Sequence, residues 1–235
     1  MNTQPEKQTS LSRFLIRFLA SIVLIVGVLG GLLFTSAGRL DWPAAWVLIS
    51  LYTIFLLFVM SWGYLRAPEL MQERGRVASN VKSWDKLINA LYLLALILLF
   101  IVAGLDERYD WSQFPAGLQW LGGLGFSAAG YVIWRTMAEN AYLSRWARIQ
   151  DDRGQTVISS GPYRIVRHPM YAAIITLVIC MTLELGSFRA LVPAAFAAVI
   201  YVIRTRLEDR MLHEELAGYR EYASKVRYRL APGIW

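Results

Sequence analysis

A dense and rigid polar segment lies in the C-terminal half of the chain, and it reads Gly161-Pro162-Tyr163-Arg164-Ile165-Val166-Arg167-His168-Pro169-Met170-Tyr171. It holds two prolines, two tyrosines and one of the two histidines of the chain. A polar connector, residues 145–160, precedes it, and an uncharged run, residues 172–183, follows it directly. A basic, aromatic turn therefore stands at the entrance to an apolar helix, and the rest of the sequence is interpreted around it.

The composition is that of a membrane protein. Only 17% of the 235 residues are charged and 56% are hydrophobic, whereas soluble domains carry about 25% charged residues. The net charge of +7 does not indicate nucleic-acid binding, because the basic residues lie between apolar runs instead of forming patches. The single cysteine, Cys180, excludes a disulfide within the chain, and no histidine or cysteine spacing suits a metal site.

Six uncharged runs predict the helices of a bundle, at residues 18–38, 42–65, 87–105, 111–134, 169–183 and 190–203. Each of the first four is long enough, at about 1.5 Å per residue, to cross a hydrocarbon core about 30 Å thick. The first run exceeds the apolar part of a signal peptide, so we predict a retained transmembrane helix. The polar residues 1–12 are predicted to be disordered, and 13–138 to form four transmembrane helices.

The last two runs are shorter, and only six residues separate them. They predict a helical hairpin over 169–204 with a tight turn at Gly186-Ser187; a re-entrant pair is the alternative. Apolar residues at helical spacing then continue through the charged segment 204–222, which predicts an amphipathic helix ending near Gly218. The predicted fold is thus an all-α, polytopic membrane bundle of about six spans, with residues 139–235 as the region that carries the candidate functional residues.

The arginines and lysines give the bundle an orientation. If the N-terminus, the 66–86 loop, the 135–168 connector and the tail share one side, that side holds 21 of the 24 basic residues. The positive-inside rule then places both termini and the polar connectors in the cytoplasm.

The residues that could carry chemistry form three groups near this face. Asn140 follows the fourth run; Tyr163, Arg167, His168 and Tyr171 belong to the turn; Arg204, Glu208 and Asp209 begin the charged helix. Arg204 and Glu208 are four residues apart and share a helix face, and a hairpin would bring them beside the turn.

Pro169 restricts His168 to extended conformations and can open a helix, whose free amides favour an anion. The alternatives are that the turn's arginines only fix topology and that Arg204 and Glu208 form an ordinary surface pair. His213 is interpreted as solvent-exposed, and Glu184 as an interfacial residue.

At these residues the sequence resembles the isoprenylcysteine carboxyl methyltransferases and related membrane phospholipid methyltransferases. Their pattern is a Gly-Pro-Tyr…Arg-His-Pro-x-Tyr turn, a helical hairpin and an acidic pair, which correspond to Gly161–Tyr163, Arg167–Tyr171 and Glu208-Asp209. The resemblance covers about residues 140–235. Asp209 stands where a second glutamate is usual, and Ala173 where a glycine is frequent, and these departures bear mainly on the substrate.

The resemblance implies S-adenosyl-L-methionine as cofactor and a lipophilic acceptor that enters from the bilayer, either a prenylated molecule or a membrane lipid. It implies that the cofactor is held by a set of seven residues: Asn140, Tyr163, His168, Pro169, Tyr171, Glu208 and Asp209. Arg204 or Arg167 would hold an acceptor carboxylate, while Glu208 or Asp209 would take a proton from an acceptor amine.

Two other functions remain open at this point. Some sterol and steroid reductases that use NADPH look similar in their C-terminal part, and a non-catalytic membrane scaffold is the third possibility. The acceptor and the oligomeric state cannot be read from the sequence.

Overall fold

The computed structural model describes residues 4–75 and 81–235, with side chains from Phe18 onward. Within these residues the chain is helical, with no strand. Eight α-helices follow one another: α1 (Gln4–Ala37), α2 (Pro43–Arg66), α3 (Pro68–Gly75), α4 (Ser83–Tyr109), α5 (Ala116–Glu139), α6 (Pro169–Glu184), α7 (Leu191–Glu215) and α8 (Tyr219–Lys225). Proline occupies the first position of α2, α3 and α6, where its missing amide has no partner to lose. The helix α1 begins inside the segment predicted to be disordered, since each residue added to an existing helix gains one hydrogen bond.

Three helices are long and apolar enough to cross a membrane: Phe18–Ala37 within α1, then Pro43–Arg66 and Ser83–Tyr109. The helix α6 is apolar but shorter. An integral membrane protein of the all-α class is therefore confirmed. The count of six spans stays a prediction, as do the sides on which the termini lie.

The helices α5 and α6 form the closest pair of the bundle, and glycines make this possible. A Cβ atom at Gly122 would clash with the backbone of Glu184, and one at Gly125 with the Sγ atom of Cys180. A Cβ atom at Gly130 would make a tight contact, at 3.2 Å, with the ring of Phe55 on α2. These glycines show the close packing expected of small residues between membrane helices: Gly122 and Gly125 bring α6 against α5, and Gly130 brings α2 against it.

The helices α6 and α7 form the predicted hairpin, joined by residues 185–190 with Gly186 at a left-handed φ of 74°. We call this the turn end of the hairpin. Glu184 is buried there, at 3% exposure, so its interpretation as an interfacial residue was wrong: the close approach of α5 at Gly122 covers it.

The opposite end of the hairpin, which we call the charged end, carries the polar residues. The helix α7 continues without interruption from its apolar half to Glu215, and Gly218, at a φ of 80°, separates it from α8. The last residues return to the 161–168 turn, where the amides of Arg167 and His168 donate to the carbonyls of Tyr228 and Arg229, both at 2.9 Å. This backbone pairing brings the C-terminal segment to the site.

Candidate functional site

A cavity of about 760 Å³ opens at the charged end of the hairpin. Ligand pockets for small molecules and cofactors commonly measure about 300–1,000 Å³. Eight of the nine predicted site residues line it: Asn140, Tyr163, Arg167, His168, Pro169, Tyr171, Arg204 and Glu208. Asp209 is the exception and lies buried behind this lining, at 2% exposure. The hairpin thus brings the predicted residues together as the sequence analysis expected.

Tyr163 is fixed on both sides. Its hydroxyl accepts a hydrogen bond from the Nδ2 atom of Asn140 at 2.8 Å, and its carbonyl accepts one from the Tyr222 hydroxyl at 2.7 Å. Burial raises the pKa of Tyr163, so its hydroxyl keeps its proton. The connector after α5, the 161–164 turn and α8 are therefore tied together at one wall of the cavity.

His168 and Arg167 both contact the carboxylate of Asp209. Its Nε2 atom lies 3.2 Å from Oδ1 of Asp209, and its ring stacks on that of Tyr171 with centroids 5.7 Å apart. A carboxylate only accepts hydrogen bonds, so in the neutral ring Nε2 carries the proton and Nδ1 is an acceptor. No described residue bonds to Nδ1, which leaves this atom for a ligand.

Asp209 is the centre of an ion cluster. Arg167 binds it with two nitrogens, at 2.8 and 3.1 Å, and Arg229 donates to it at 2.9 Å. The Tyr219 hydroxyl also donates to it, at 2.9 Å. Burial opposes ionisation of Asp209, but the hydrogen bonds from His168, Arg167 and Arg229 hold its pKa well below its usual range. The carboxylate is therefore charged at neutral pH, and both of its oxygens accept hydrogen bonds.

This cluster changes the roles expected of two residues. The remaining nitrogen of Arg167, Nη1, donates to the carbonyls of Val226 and Arg227, both at 2.9 Å. Arg167 thus uses four of its five N–H donors within the protein, and both carboxylate oxygens of Asp209 already accept hydrogen bonds. The geometry favours a positioning role for both, with His168 as the residue they orient.

The predicted anion site at the start of α6 is also largely closed. The amides of Arg167 and His168 donate to the C-terminal segment, and the amide of Tyr171 donates to the carbonyl of His168 at 3.1 Å.

His213, expected to be exposed, is half-buried, and its ring lies 4.9 Å from that of Tyr219.

Glu208 is the carboxylate that faces the cavity. It lies one helical turn beyond Arg204 on α7 and accepts a hydrogen bond from the Tyr171 hydroxyl. This is its only hydrogen bond among the described residues. One carboxylate oxygen is thus held in place, and the other remains able to accept a hydrogen bond from a ligand.

Arg204 is held by residues that the sequence analysis missed. Its Nε atom forms an ion pair with Oδ1 of Asp85 at 3.0 Å, although the angle falls short of a hydrogen bond. Asp85 is fully buried and also accepts from the amide of Ala147 at 2.9 Å. The available signal was the pair Asp85 and Asn89, four residues apart and hence on one face of a helix that otherwise reads as a membrane span.

An apolar branch of the cavity extends between the membrane helices. It is lined by α2, α4 and α6 through the residues Tyr52, Ala90, Leu93, Leu96, Met170 and Ile174. Tyr201 of α7 stands where this branch meets the polar part, with its ring 4.5 Å from that of Tyr92 and 5.3 Å from that of Tyr171. The cavity therefore has a polar lining at the charged end and an apolar lining between the membrane helices.

A comparison with protein families identifies the segment that builds most of this cavity. Residues 119–217 match the phospholipid methyltransferase family. The match confirms the resemblance inferred from the turn and the acidic pair, within the group of isoprenylcysteine carboxyl and phospholipid membrane methyltransferases. It supports methyltransferase activity in general. Comparison with curated proteins finds no match.

The matched segment contains α5, α6 and α7, and it leaves part of the site outside. Asp85 and Asn89 precede it; Tyr219, Tyr222 and Arg229 follow it. The cavity is therefore built by the segment that matches the phospholipid methyltransferase family, together with α3, α4 and the C-terminal residues.

Proposed function

We propose that this protein is an S-adenosyl-L-methionine-dependent methyltransferase that acts at the membrane–cytosol boundary on a lipophilic acceptor. The observation that carries the proposal is the two-part cavity at the family-matched segment: polar at the charged end, apolar between α2, α4 and α6. The arginine and lysine distribution supports a cytoplasmic position for the charged end and for both termini.

The residues present fit the cofactor. A nucleoside with an amino-acid chain offers hydroxyl and amine donors, and the polar compartment offers two acceptors, Nδ1 of His168 and a carboxylate oxygen of Glu208. Asn140 and Tyr163 fix the wall beside them. S-adenosyl-L-methionine, when bound, supplies an electrophilic methyl group on a sulfonium.

Transfer of that methyl is an in-line displacement, for which positioning matters more than acid–base chemistry. The chain's part is to hold the acceptor atom on the line of attack, with the acceptor's apolar portion in the branch past Tyr201. The packed rings of Tyr92, Tyr171 and Tyr201 would border the acceptor's apolar portion.

The acceptor atom decides whether a base is needed. A carboxylate, as in an isoprenylcysteine, attacks without losing a proton, whereas the amine of a lipid head group must lose one. Asp209 is a poor proton acceptor because the hydrogen bonds from His168, Arg167 and Arg229 hold its pKa down against the effect of burial. Glu208 is therefore the base that an amine acceptor would use.

A reductase that uses NADPH is the second candidate function. The cavity mouth carries Arg74, Lys86 and Arg145, and such basic residues also suit the phosphates of a dinucleotide. The experiment below separates the two functions.

Methyl transfer tests the proposal directly. The purified protein, in an uncharged detergent, is incubated with methyl-labelled S-adenosyl-L-methionine and, separately, with a lipid extract and a membrane-protein extract of the host. We expect label in one extract and a decrease of about 10- to 100-fold for Glu208→Gln, the scale of a lost hydrogen bond to a charged group.

The matched control is Glu214→Gln, on the same helix but exposed and paired, among the described residues, with Arg210 at 2.8 Å; we expect it to retain full activity. No transfer to either extract, together with oxidation of NADPH, would contradict the proposal.

A further inference from the structure

Arg204, the residue predicted to hold an acceptor anion, has little capacity left for one. Besides Asp85, its nitrogens contact the carbonyl of Arg145 at 2.9 Å and the Asn89 amide oxygen at 3.4 Å. Its guanidinium also lies over the rings of Tyr171 and Tyr201, 5.1 and 5.6 Å from their centroids. Asp85 thus neutralises the charge of Arg204, and the rings of Tyr171 and Tyr201 cover its guanidinium.

Arg74 differs from Arg204 in each of these respects. It lines the same cavity from α3, and its only hydrogen bond among the described residues runs from Nη1 to the carbonyl of Leu143, at 3.3 Å. A guanidinium has five N–H donors, so most of its donors remain. No described carboxylate pairs with it.

The position of Arg74 is fixed by the short helix that carries it. Leu70 is buried in the core at 2% exposure, and Met71 packs directly against Gly63 of α2. The contact with Leu143 ties the Arg74 side chain to the connector that also holds Asn140 and Arg145. The Arg74 side chain is therefore held in position in the cavity wall, where it is half-buried and does not extend into solvent.

The charges around Arg74 favour an anion. Burial and then repulsion from Arg145 lower the pKa of Arg74. Lys86 and Arg145 line the same mouth, and Glu208 is the one carboxylate residue among those lining the cavity. The cofactor proposed above brings a further positive charge on its sulfonium. A negative charge in the remaining partner would offset this excess, whereas an ammonium would add to it.

We infer that Arg74 is an anion-binding residue for the acceptor: it holds a carboxylate or phosphate of a lipophilic anion whose apolar chain lies in the branch between α2, α4 and α6. This inference rests on the proposed function and narrows the acceptor to an anionic amphiphile. It also assigns the role to a residue outside the family-matched segment.

Native mass spectrometry of the detergent-solubilised protein tests the inference. Hexadecyl phosphate and palmitate serve as anionic probes, hexadecyltrimethylammonium as the cationic one, and inorganic phosphate as the anion without a chain. Binding of S-adenosylhomocysteine is measured in the same samples. We expect both anionic amphiphiles to bind the wild type, and Arg74→Gln to weaken both by about 10- to 100-fold, as for a lost charge-assisted hydrogen bond.

Three controls separate the loss of the Arg74 contact from other effects of the substitution. Arg66→Gln changes a nearby exposed arginine that does not line the cavity, and we expect it to bind all probes like the wild type. Arg74→Lys keeps the charge without the planar fork, so an intermediate affinity is expected. Retained S-adenosylhomocysteine binding in Arg74→Gln demonstrates that this variant is folded.

Each contrary outcome has a distinct meaning. Equal affinity of wild type and Arg74→Gln for the anionic probes, with S-adenosylhomocysteine bound by both, would overturn this inference and leave the proposed function intact. Preference for the cationic probe, or equally tight binding of inorganic phosphate, would also overturn it. Failure of the wild type to bind S-adenosylhomocysteine would count against the proposed function itself.

Discussion

Each end of the α6–α7 hairpin holds a buried aspartate at the centre of a hydrogen-bond cluster, Asp106 at the turn end and Asp209 at the charged end, and these two are engaged in different ways. At the turn end, Asp106 is 3% exposed, and its Oδ2 atom accepts hydrogen bonds from the hydroxyls of Ser112 and Ser187. Its Oδ1 atom has no hydrogen-bond partner among the described residues. At the charged end, Asp209 binds two arginines, a histidine and a tyrosine.

The partners explain what each aspartate does. The neutral donors around Asp106 belong to the connections that join the helices, and the Ser187 hydroxyl in turn accepts the amide of Ala190 at 3.0 Å. Asp106 therefore shapes a turn. Of the partners of Asp209, Arg167, His168 and Tyr219 line the cavity, and the cluster holds the His168 ring beside it. The comparison therefore separates a buried carboxylate that shapes a turn from one whose partners border a space for a ligand.

The largest effect is expected for Asp209→Asn. Removing one partner of a buried ion pair leaves the other charges uncompensated, which typically costs about 3–5 kcal/mol of folding free energy. We expect a much lower unfolding temperature and loss of S-adenosylhomocysteine binding. The single cysteine, Cys180, is buried, so its reaction with a thiol-reactive dye during heating reports unfolding. An unfolding temperature equal to that of the wild type would contradict the proposed role of the ion cluster.

Acid should lower the stability that the Asp209 carboxylate gives to the wild type, and Asp209→Asn should not show this loss. The folded pKa of Asp209 is depressed, so its contribution to stability is present above about pH 3.9, the pKa of an unfolded aspartate, and is lost as the pH falls toward the folded pKa. The difference in unfolding temperature between wild type and Asp209→Asn should therefore narrow from pH 6 to pH 3. Tryptophan fluorescence can follow it, and a constant difference would argue against an ionised Asp209.

The smallest effect is expected for Asp106→Asn. An amide oxygen can still accept from the hydroxyls of Ser112 and Ser187, so we expect a loss of about 1–2 kcal/mol, the range for a weakened buried hydrogen bond. S-adenosylhomocysteine binding should stay at the wild-type level. Loss of that binding would mean that the two ends of the hairpin are coupled, and the distinction between them would fail.

Much of the charged end was predictable from the sequence because its signals are local. Pro169 begins a helix and Gly186 permits a turn, so the hairpin follows from the chain's own conformational preferences. The four-residue spacing of Arg204 and Glu208 then places them on one helix face opposite the turn. Eight of the nine predicted residues accordingly line one cavity.

The remaining parts depend on contacts between distant segments, which local patterns do not encode. Asp85 pairs with Arg204 across 119 positions of sequence, and Arg229 reaches Asp209 from the C-terminal segment. The same contacts determine which side chains are saturated. The sequence therefore identified Arg167 and Asp209 as belonging to the site, but it could not show that each is fully engaged by the other and by its neighbours.

The central claim is that the cavity at the charged end holds S-adenosyl-L-methionine, and ligand-induced thermal stabilisation of the purified protein tests it most directly. We predict that S-adenosylhomocysteine raises the unfolding temperature of the wild type and of Asp106→Asn, that it has no effect on Glu208→Gln at the same concentration, and that NADPH stabilises none of them. Stabilisation of the wild type by NADPH and not by S-adenosylhomocysteine would contradict the account.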